Sequence, residues 1–376
     1  MDGGVIVGLK TFKIKLTAVG PIHIGSGQIM RKQEYIYDDY QSKVYFIDGL
    51  KMTRFLKEKN LLNKFLSYIN QSANKANLLY FLKNNNVKKE EWIKFTKYSL
   101  PVHQGKNVNK LNKVNTFENK AKPLNDIHTM IRSGNDEIYV PGSSLKGALR
   151  TVIQGYYAET ESNMARKAQN RFNLSLSGLK NMTNDELVKF FQKIKVSDSA
   201  VITSDNIAIY QKVDINKKAT SMPLYRECID VGTEIEFDLT IEDDVITHDQ
   251  LNKMIINHYK NYWDKWAVGF KNTEAGNELF RIGMQPSDNA VVNNEPILFL
   301  GGGSGFVSKT LYYQSQPRNT AKQNVFNVLK RRHGKHYRKM RRMPDNVPVA
   351  LKGTVNTAKN KWYQMGACKI EITPNN

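Results

Sequence analysis

Three short glycine- and serine-rich segments hold the residues of this chain best suited to chemistry: Gly20-Pro21-Ile22-His23-Ile24-Gly25-Ser26-Gly27, Pro141-Gly142-Ser143-Ser144-Leu145-Lys146-Gly147 and Gly301-Gly302-Gly303-Ser304-Gly305-Phe306. Glycine lets a backbone take positive φ and approach a ligand closely. Successive N–H groups exposed by such turns cradle an anion. In the first segment Gly25, Ser26 and Gly27 surround His23. A histidine beside a serine in a basic groove can move protons in RNA cleavage. The competing reading is a ring that packs or hydrogen-bonds under the loop, and no second histidine lies nearby in the sequence.

The second segment opens a helix in which Lys146 and Arg150, four apart, share one face. The Ser143 and Ser144 hydroxyls, the free amides and the helix dipole favour a phosphate there. An ordinary capped helix with solvated cations is the plainer alternative. The segment is not a nucleotide P-loop, because Lys146 precedes Gly147 instead of following the motif's last glycine. The third segment is too dense in glycine to be only a turn. Gly302, Gly303 and Ser304, with Lys309 just beyond, suit close packing against a helix or an RNA backbone. It lacks the final glycine and the downstream acidic residue of a dinucleotide site.

The densest positive run is Arg331-Arg332-His333-Gly334-Lys335-His336-Tyr337-Arg338-Lys339-Met340-Arg341-Arg342. Arg331, Arg332 and Arg338 offer phosphate contacts, and Tyr337 and His336 offer stacking faces. Nonspecific basic surface is the competing reading. No Cys/His spacing resembles a zinc site, and Asp198 and Asp205 alone do not make a metal pair. Neither a metal nor a cofactor is expected.

Bulk charge points the same way. The 56 Lys and Arg against 35 Asp and Glu leave +21 over 376 residues, a field that attracts polyanions. No apolar run nears the ~20 residues of a membrane span, and the opening Met1 to Gly8 does not read as a signal peptide. Cys228 and Cys368 are too few for a disulfide framework. They read as buried thiols of a cytoplasmic protein.

The elements that must position these groups read as α+β. Phe12, Ile14 and Leu16 alternate with Lys13, Lys15 and Thr17 in a strand over 5–19. A hairpin is expected over 34–37 and 43–47, then a helix over 50–59 capped by Asp48. Residues 60–122 read as a Lys/Asn-rich helical insertion. A short strand over 137–140 leads into a helix over 145–157, with Ser143 or Ser144 as cap. Segments 196–203 and 208–213 read as paired strands. Ile235, Phe237, Leu239 and Ile241 mark one face of a strand whose other face is acidic, expected to meet solvent or protein rather than RNA. A helix over 248–268 and strands at 297–300 and 367–372 follow. Two related halves are expected, 1–200 with the helical insertion and 201–376 with the glycine-rich and basic loops.

The first strand with its Gly20-x-x-His23-x-Gly25-x-Gly27 loop, the Pro141-Gly142-Ser143-Ser144-Leu145-Lys146-Gly147-Ala148-Leu149-Arg150 block and the Gly301–Gly305 loop together resemble the RAMP proteins of CRISPR systems. The resemblance spans most of the chain, and the serine–lysine–glycine block is its strongest element. It implies two ferredoxin-like, RNA-recognition-type halves with helical and basic insertions. Length and order are most similar to the subunit capping the crRNA 3′ end in the type III-A Csm effector complex. That likeness implies a non-catalytic protein that binds crRNA and docks on an adjacent backbone RAMP subunit and a small helical subunit, with target RNA nearby. Two alternatives stay open: a metal-independent endoribonuclease using His23 with a lysine such as Lys146, and a repeated backbone subunit.

Overall fold

The computed structural model describes residues 8–72, 76–104, 124–160, 184–216, 219–242, 245–272, 294–337, 340, 342–356, 358–359 and 361–375. The expected opening strand forms as β1 (Leu9–Ala18), with Phe12, Ile14, Leu16 and Ala18 buried. After the first glycine loop come β2 (Gly25–Met30) and the hairpin of β3 (Tyr35–Asp38) and β4 (Lys43–Ile47). Helix α1 (Gly49–Glu58) starts where expected, because the Asp48 side chain accepts hydrogen bonds from the N–H groups of Leu50 and Lys51. Helices α2 (Leu62–Ser72) and α3 (Leu78–Asn84) confirm a helical insertion. They bury Phe65, Phe81 and Leu82 with Ile36 and Tyr45 of the hairpin.

The chain continues through β5 (Thr96–His103), β6 (Ile127–Met130), α4 (Gly142–Thr160), α5 (Asn184–Gln192) and β7 (Ile194–Val196). Then follow β8 (Ile207–Ile215), β9 (Ala219–Ile229), β10 (Glu234–Glu242), α6 (His248–Lys265), β11 (Ile297–Phe299) and α7 (Arg318–Arg332). The last strands are β12 (Leu351–Asn356), β13 (Lys361–Gln364) and β14 (Ala367–Pro374).

These strands form two curled sheets. The first has five strands in the order β11-β14-β1-β10-β7, all neighbours antiparallel. Along the chain β1, α4, β7, β10, α6 and β14 run βαββαβ, the order of a ferredoxin-like unit. One face buries Ile14, Leu16, Phe237 and Leu239 against Leu145, Leu149 and Val152 of α4 and Leu251 and Ile255 of α6. The other face is charged. The β1/β10 register sets lysines beside carboxylates, with Lys13–Asp238 at 2.6 Å and Lys15–Glu234 at 3.3 Å. The acidic face of β10 is therefore answered by its neighbouring strand. The second sheet has nine strands. Its path is β2-β6-β9-β8-β5-β4-β3, with β12 paired to β8 and β13 to β12.

Several expectations need correction. Strand β5 lies inside the segment read as a helical insertion and joins the nine-stranded sheet. Segments 196–203 and 208–213 do not pair with each other. Strand β7 pairs with β10, and β8 pairs with β9, β5 and β12. Beyond Val196 the Ser197 and Ala200 N–H groups donate to the Asp238 and Glu236 carbonyls of β10, and those of Ser199 and Ile202 to the Val140 and Ile138 carbonyls, so this backbone is already partnered elsewhere. Residues 137–140 contribute only isolated bridges at Ile138. Each sheet also takes strands from both sides of residue 200.

Candidate nucleic-acid interface

Two of the three glycine loops meet. β14 lies between β1 and β11, so the loop after β1 and the loop after β11 are delivered side by side. The Gly302 N–H donates to the His23 carbonyl at 2.6 Å, and the Gly366 N–H donates to the Pro21 carbonyl at 2.8 Å. No side chain fits this seam. A Cβ on Gly301 would stand 2.3 Å from the His23 carbonyl oxygen, and one on Gly20 would stand 1.7 Å from the Gln364 carbonyl oxygen. Glycine density is thus explained by backbone-to-backbone packing as well as by φ. Along the third loop φ is +77° at Gly301, +91° at Gly303 and +100° at Gly305, whereas Gly302 and Ser304 lie outside the left-handed region.

His23 sits beneath this seam, 5 % exposed, with Nδ1 2.6 Å from the Glu227 carbonyl oxygen. A carbonyl only accepts, so Nδ1 carries the proton and Nε2 faces Gly25. Burial, and then the nearby charges of Arg226, His128 and Lys309, push the His23 pKa down to about 4. A neutral, buried imidazole held by a backbone carbonyl is a poor proton shuttle near pH 7. The geometry favours the packed ring over the catalytic one.

Of the cations beside the seam, Lys309 is expected from the sequence, whereas Arg226 and Lys352 are residues that sequence reasoning missed. Arg226 on β9 lies against Gly303, where a Cβ would stand 3.2 Å from Nη1. That Nη1 is buried and makes no hydrogen bond among the described residues. Desolvation lowers the Arg226 pKa. Lys309 is exposed. Desolvation, and then the Arg226 charge, lower its pKa. Lys352 flanks Gly305, and Asp214 is shared between Lys352 at 2.8 Å and Lys212 at 3.1 Å. The signal available in the sequence was the alternation Tyr225, Glu227, Ile229, which sets Arg226 on the opposite face of its strand. Only the fold brings that face to the third loop.

The remaining candidates lie elsewhere. Gly25, Ser26 and Gly27 form the exposed start of β2. The Ser26 hydroxyl lies 2.8 Å from Thr129 Oγ1 and accepts the Gln28 N–H. The 141–150 block packs on β7, at the sheet edge opposite β11. Neither serine caps α4 in the way expected. The Gly142 N–H donates to Asp198 Oδ1 at 2.8 Å, because a carboxylate from a distant segment reaches the helix start first. Ser143 is exposed and Ser144 half-buried. The Lys146 pKa is lowered by desolvation and then by Arg150 and Lys195, and Arg150 stacks over Phe191 at 5.0 Å.

Ser304 is buried, its hydroxyl donating to the Gly301 carbonyl, so it braces the loop from within. Arg331 and Arg332 are exposed in the last turn of α7. Tyr337, expected to stack on bases, is instead buried edge-on against Phe326 at 5.9 Å. Its ring completes an apolar cluster, and that burial removes the stacking face. Arg338 lies outside the described residues. Among the described residues no group of three or more His, Cys, Asp or Glu is placed to hold a metal ion. No described helix is long and apolar enough to cross a membrane.

A model of the RAMP superfamily matches residues 15–281. The chain belongs to the RAMP superfamily. It is 40 % identical to the CRISPR system Cms protein Csm5 of Enterococcus italicus, an alignment covering 97 % of this chain and 98 % of the relative. Identity to the Csm5 protein of Streptococcus thermophilus is 28 %, covering 96 % and 97 %. In fold it is similar to a chain of a cryo-EM Csm–crRNA–target RNA ternary complex of a type III-A system, with TM-score 0.63, 14 % identity and coverage of 96 % and 100 %. It is also similar to the crystal structure of T. onnurineus Csm5, with TM-score 0.59, 16 % identity and coverage of 94 % and 99 %. These structural likenesses concern the fold.

Proposed function

We propose that this chain is a non-catalytic RNA-binding subunit of a type III-A CRISPR effector complex, where it caps the crRNA 3′ end and supports assembly and guide maturation. The observation that carries this is full-length similarity to proteins named Csm5, at 40 % identity in one case. The seam of two glycine loops lined by Arg226, Lys309 and Lys352 supports it physically. Amides and cations suit a single strand held by its backbone, and the buried, neutral His23 is not poised for acid–base work. The partners in this reading are crRNA, an adjacent backbone RAMP subunit and a small helical subunit, with target RNA nearby.

The expected pair of ferredoxin-like halves enters the same proposal. The βαββαβ order of the five-stranded sheet supports one such unit. We assign the nine-stranded sheet, with its helical insertion, as the second. Ser143, Ser144, Lys146 and Arg150 at the far sheet edge, and Arg331 and Arg332 on α7, then serve as further RNA or partner contacts outside the seam.

The test is to purify the chain with its neighbouring gene products and map crosslinks along the bound RNA. One copy per complex, crosslinked near the guide 3′ end, supports the cap. Several copies per guide, or cleavage of repeat RNA by the isolated protein, overturns it.

A further inference from the structure

We infer that the tip of the β3–β4 hairpin is a protein-docking element, with Tyr40 as its anchor and Lys89 as the residue that positions it. The occupant is a neighbouring protein that binds the same guide RNA. The inference therefore rests on the RNA-binding reading above and names a surface through which this chain meets such a neighbour.

Tyr40 is 98 % exposed, the most exposed large hydrophobic side chain among the described residues. It sits between β3 and β4 in a turn whose other side chains are tied down. The Asp38 carboxylate accepts the Gln41 N–H at 3.2 Å and the Lys89 ammonium at 2.7 Å. Gln41 Oε1 accepts from the same ammonium at 3.0 Å and from the Tyr45 hydroxyl at 2.7 Å. The Tyr37 hydroxyl donates to Asp39 at 3.3 Å and accepts from Gln104 at 2.7 Å. Lys89 reaches the turn from the helical turn Lys89–Trp92, with Nζ 5.5 Å from the Tyr45 ring centre and 5.8 Å from that of Trp92. One cation of the insertion thus locks the hairpin tip to the helices beside it. A tip held this way presents its free ring with little conformational entropy left to lose on contact. Tyrosine combines an apolar body with a polar end and is enriched among the anchors of protein interfaces.

Charge favours a protein over RNA as the occupant. Residues 38–42 hold two carboxylates and no cation, in a chain of net charge +21. Lys89 answers Asp38. Asp39 is exposed, and among the described residues it bonds only the neutral Tyr37 hydroxyl. A phosphate backbone is repelled there. A second RNA-binding protein, by contrast, is itself rich in lysine and arginine. Two such chains repel over most of their surfaces, and an acidic projection with an aromatic tip is a place where they can meet. Tyr40 then enters an apolar pocket while Asp39 faces a cation on its rim.

The experiment titrates the full labelled chain with the purified backbone RAMP subunit and the purified small helical subunit encoded beside it. Guide RNA affinity and thermal melting are measured in parallel. Tyr40→Ala is expected to weaken association with one of the two proteins about tenfold, the scale of a modest interface hot spot. Tyr40→Phe should keep most of that affinity. Asp39→Asn should weaken it a few-fold and flatten its salt dependence. Lys89→Met frees the tip and should cost about threefold with little change in melting, since its ion pair is part-exposed. Lys89→Arg, which keeps the pair, should restore the affinity. In all of these variants the affinity for guide RNA should stay at the wild-type value. Unchanged association of Tyr40→Ala with both proteins overturns the docking element. So does a loss of RNA affinity in Tyr40→Ala with protein association intact, which assigns the ring to a nucleobase. Absence of guide RNA binding by the wild-type chain is a separate failure, that of the RNA-binding reading, and it shows before any variant is made.

Discussion

The ring of His23 hangs from the backbone of Glu227: Nδ1 donates to that carbonyl at 2.6 Å, while the Glu227 side chain, fully buried, has partners of its own. One carboxylate oxygen accepts from Arg132 at 3.0 Å and Tyr98 at 2.8 Å, and the other accepts the Met130 N–H at 2.7 Å. One residue of β9 thus ties the first glycine loop to strands β5 and β6. The hydrogen-bond count of that carboxylate is what makes its burial tolerable.

Replacing Glu227 by Ala should therefore be severe. It leaves the half-buried Arg132 guanidinium without its buried partner and orphans the Met130 N–H. A loss of about 3–5 kcal/mol is expected for breaking such a pair, and Glu227→Gln should cost less because it keeps the acceptor of the amide. Chemical denaturation of the two variants checks the order. Equal, small effects would mean that the network does not hold the strands together.

The pH dependence follows from His23 and His258, both buried with pKa values pushed down to about 4, in each case first by desolvation. Each binds its proton more weakly when folded than when unfolded, where the value is near 6.5. Stability is therefore full above about pH 6.5 and falls as pH drops toward 4, by up to roughly 3 kcal/mol for each ring. Thermal melts across this window should show the decline, and His258→Leu should flatten it. A wild-type curve that is level from pH 7 to about pH 4 would contradict the buried neutral state.

Gly301→Ala is expected to damage the seam from its own backbone. The new Cβ meets the His23 carbonyl at 2.3 Å in a residue whose φ is +77°. Strain and overpacking together predict a loss of about 2–4 kcal/mol, with RNA affinity falling as well. Gly147→Ala makes the control, since nothing lies within 4 Å of its Cβ and alanine is the better helix former. A stabilising or neutral effect is expected there by differential scanning calorimetry.

Lys146 gives a prediction with opposite signs. Its neighbours Arg150 and Lys195 repel its charge, as its lowered pKa reflects after desolvation. Lys146→Glu should leave folding stability unchanged or slightly raised while weakening RNA association. A variant that both folds and binds RNA like the wild type would remove the 141–150 block from the interface.

Tyr337→Phe should leave RNA binding unchanged, and Tyr337→Ala should destabilise the chain by about 3 kcal/mol, the usual cost of truncating a buried ring. Selective loss of RNA affinity in Tyr337→Phe would restore a contact role to this residue.

The sequence by itself determined what depends on short-range regularity. Period-two alternation marked β1 and β10, Asp48 marked the start of α1, and glycine density marked turns that take positive φ. Tertiary structure decided what depends on which distant strands pair. Placing β14 between β1 and β11 brings Gly302 onto His23, and pairing β9 with β6 and β8 aims Arg226 at Gly303. The same choice buries Tyr337, neutralises His23 and lets Asp198 take the helix start from Ser143 and Ser144. Local propensity acts over a few residues, whereas these contacts join distant segments, 56 positions apart for Gly142 with Asp198 and 204 for His23 with Glu227. Only the burial of one shared core sets their registers.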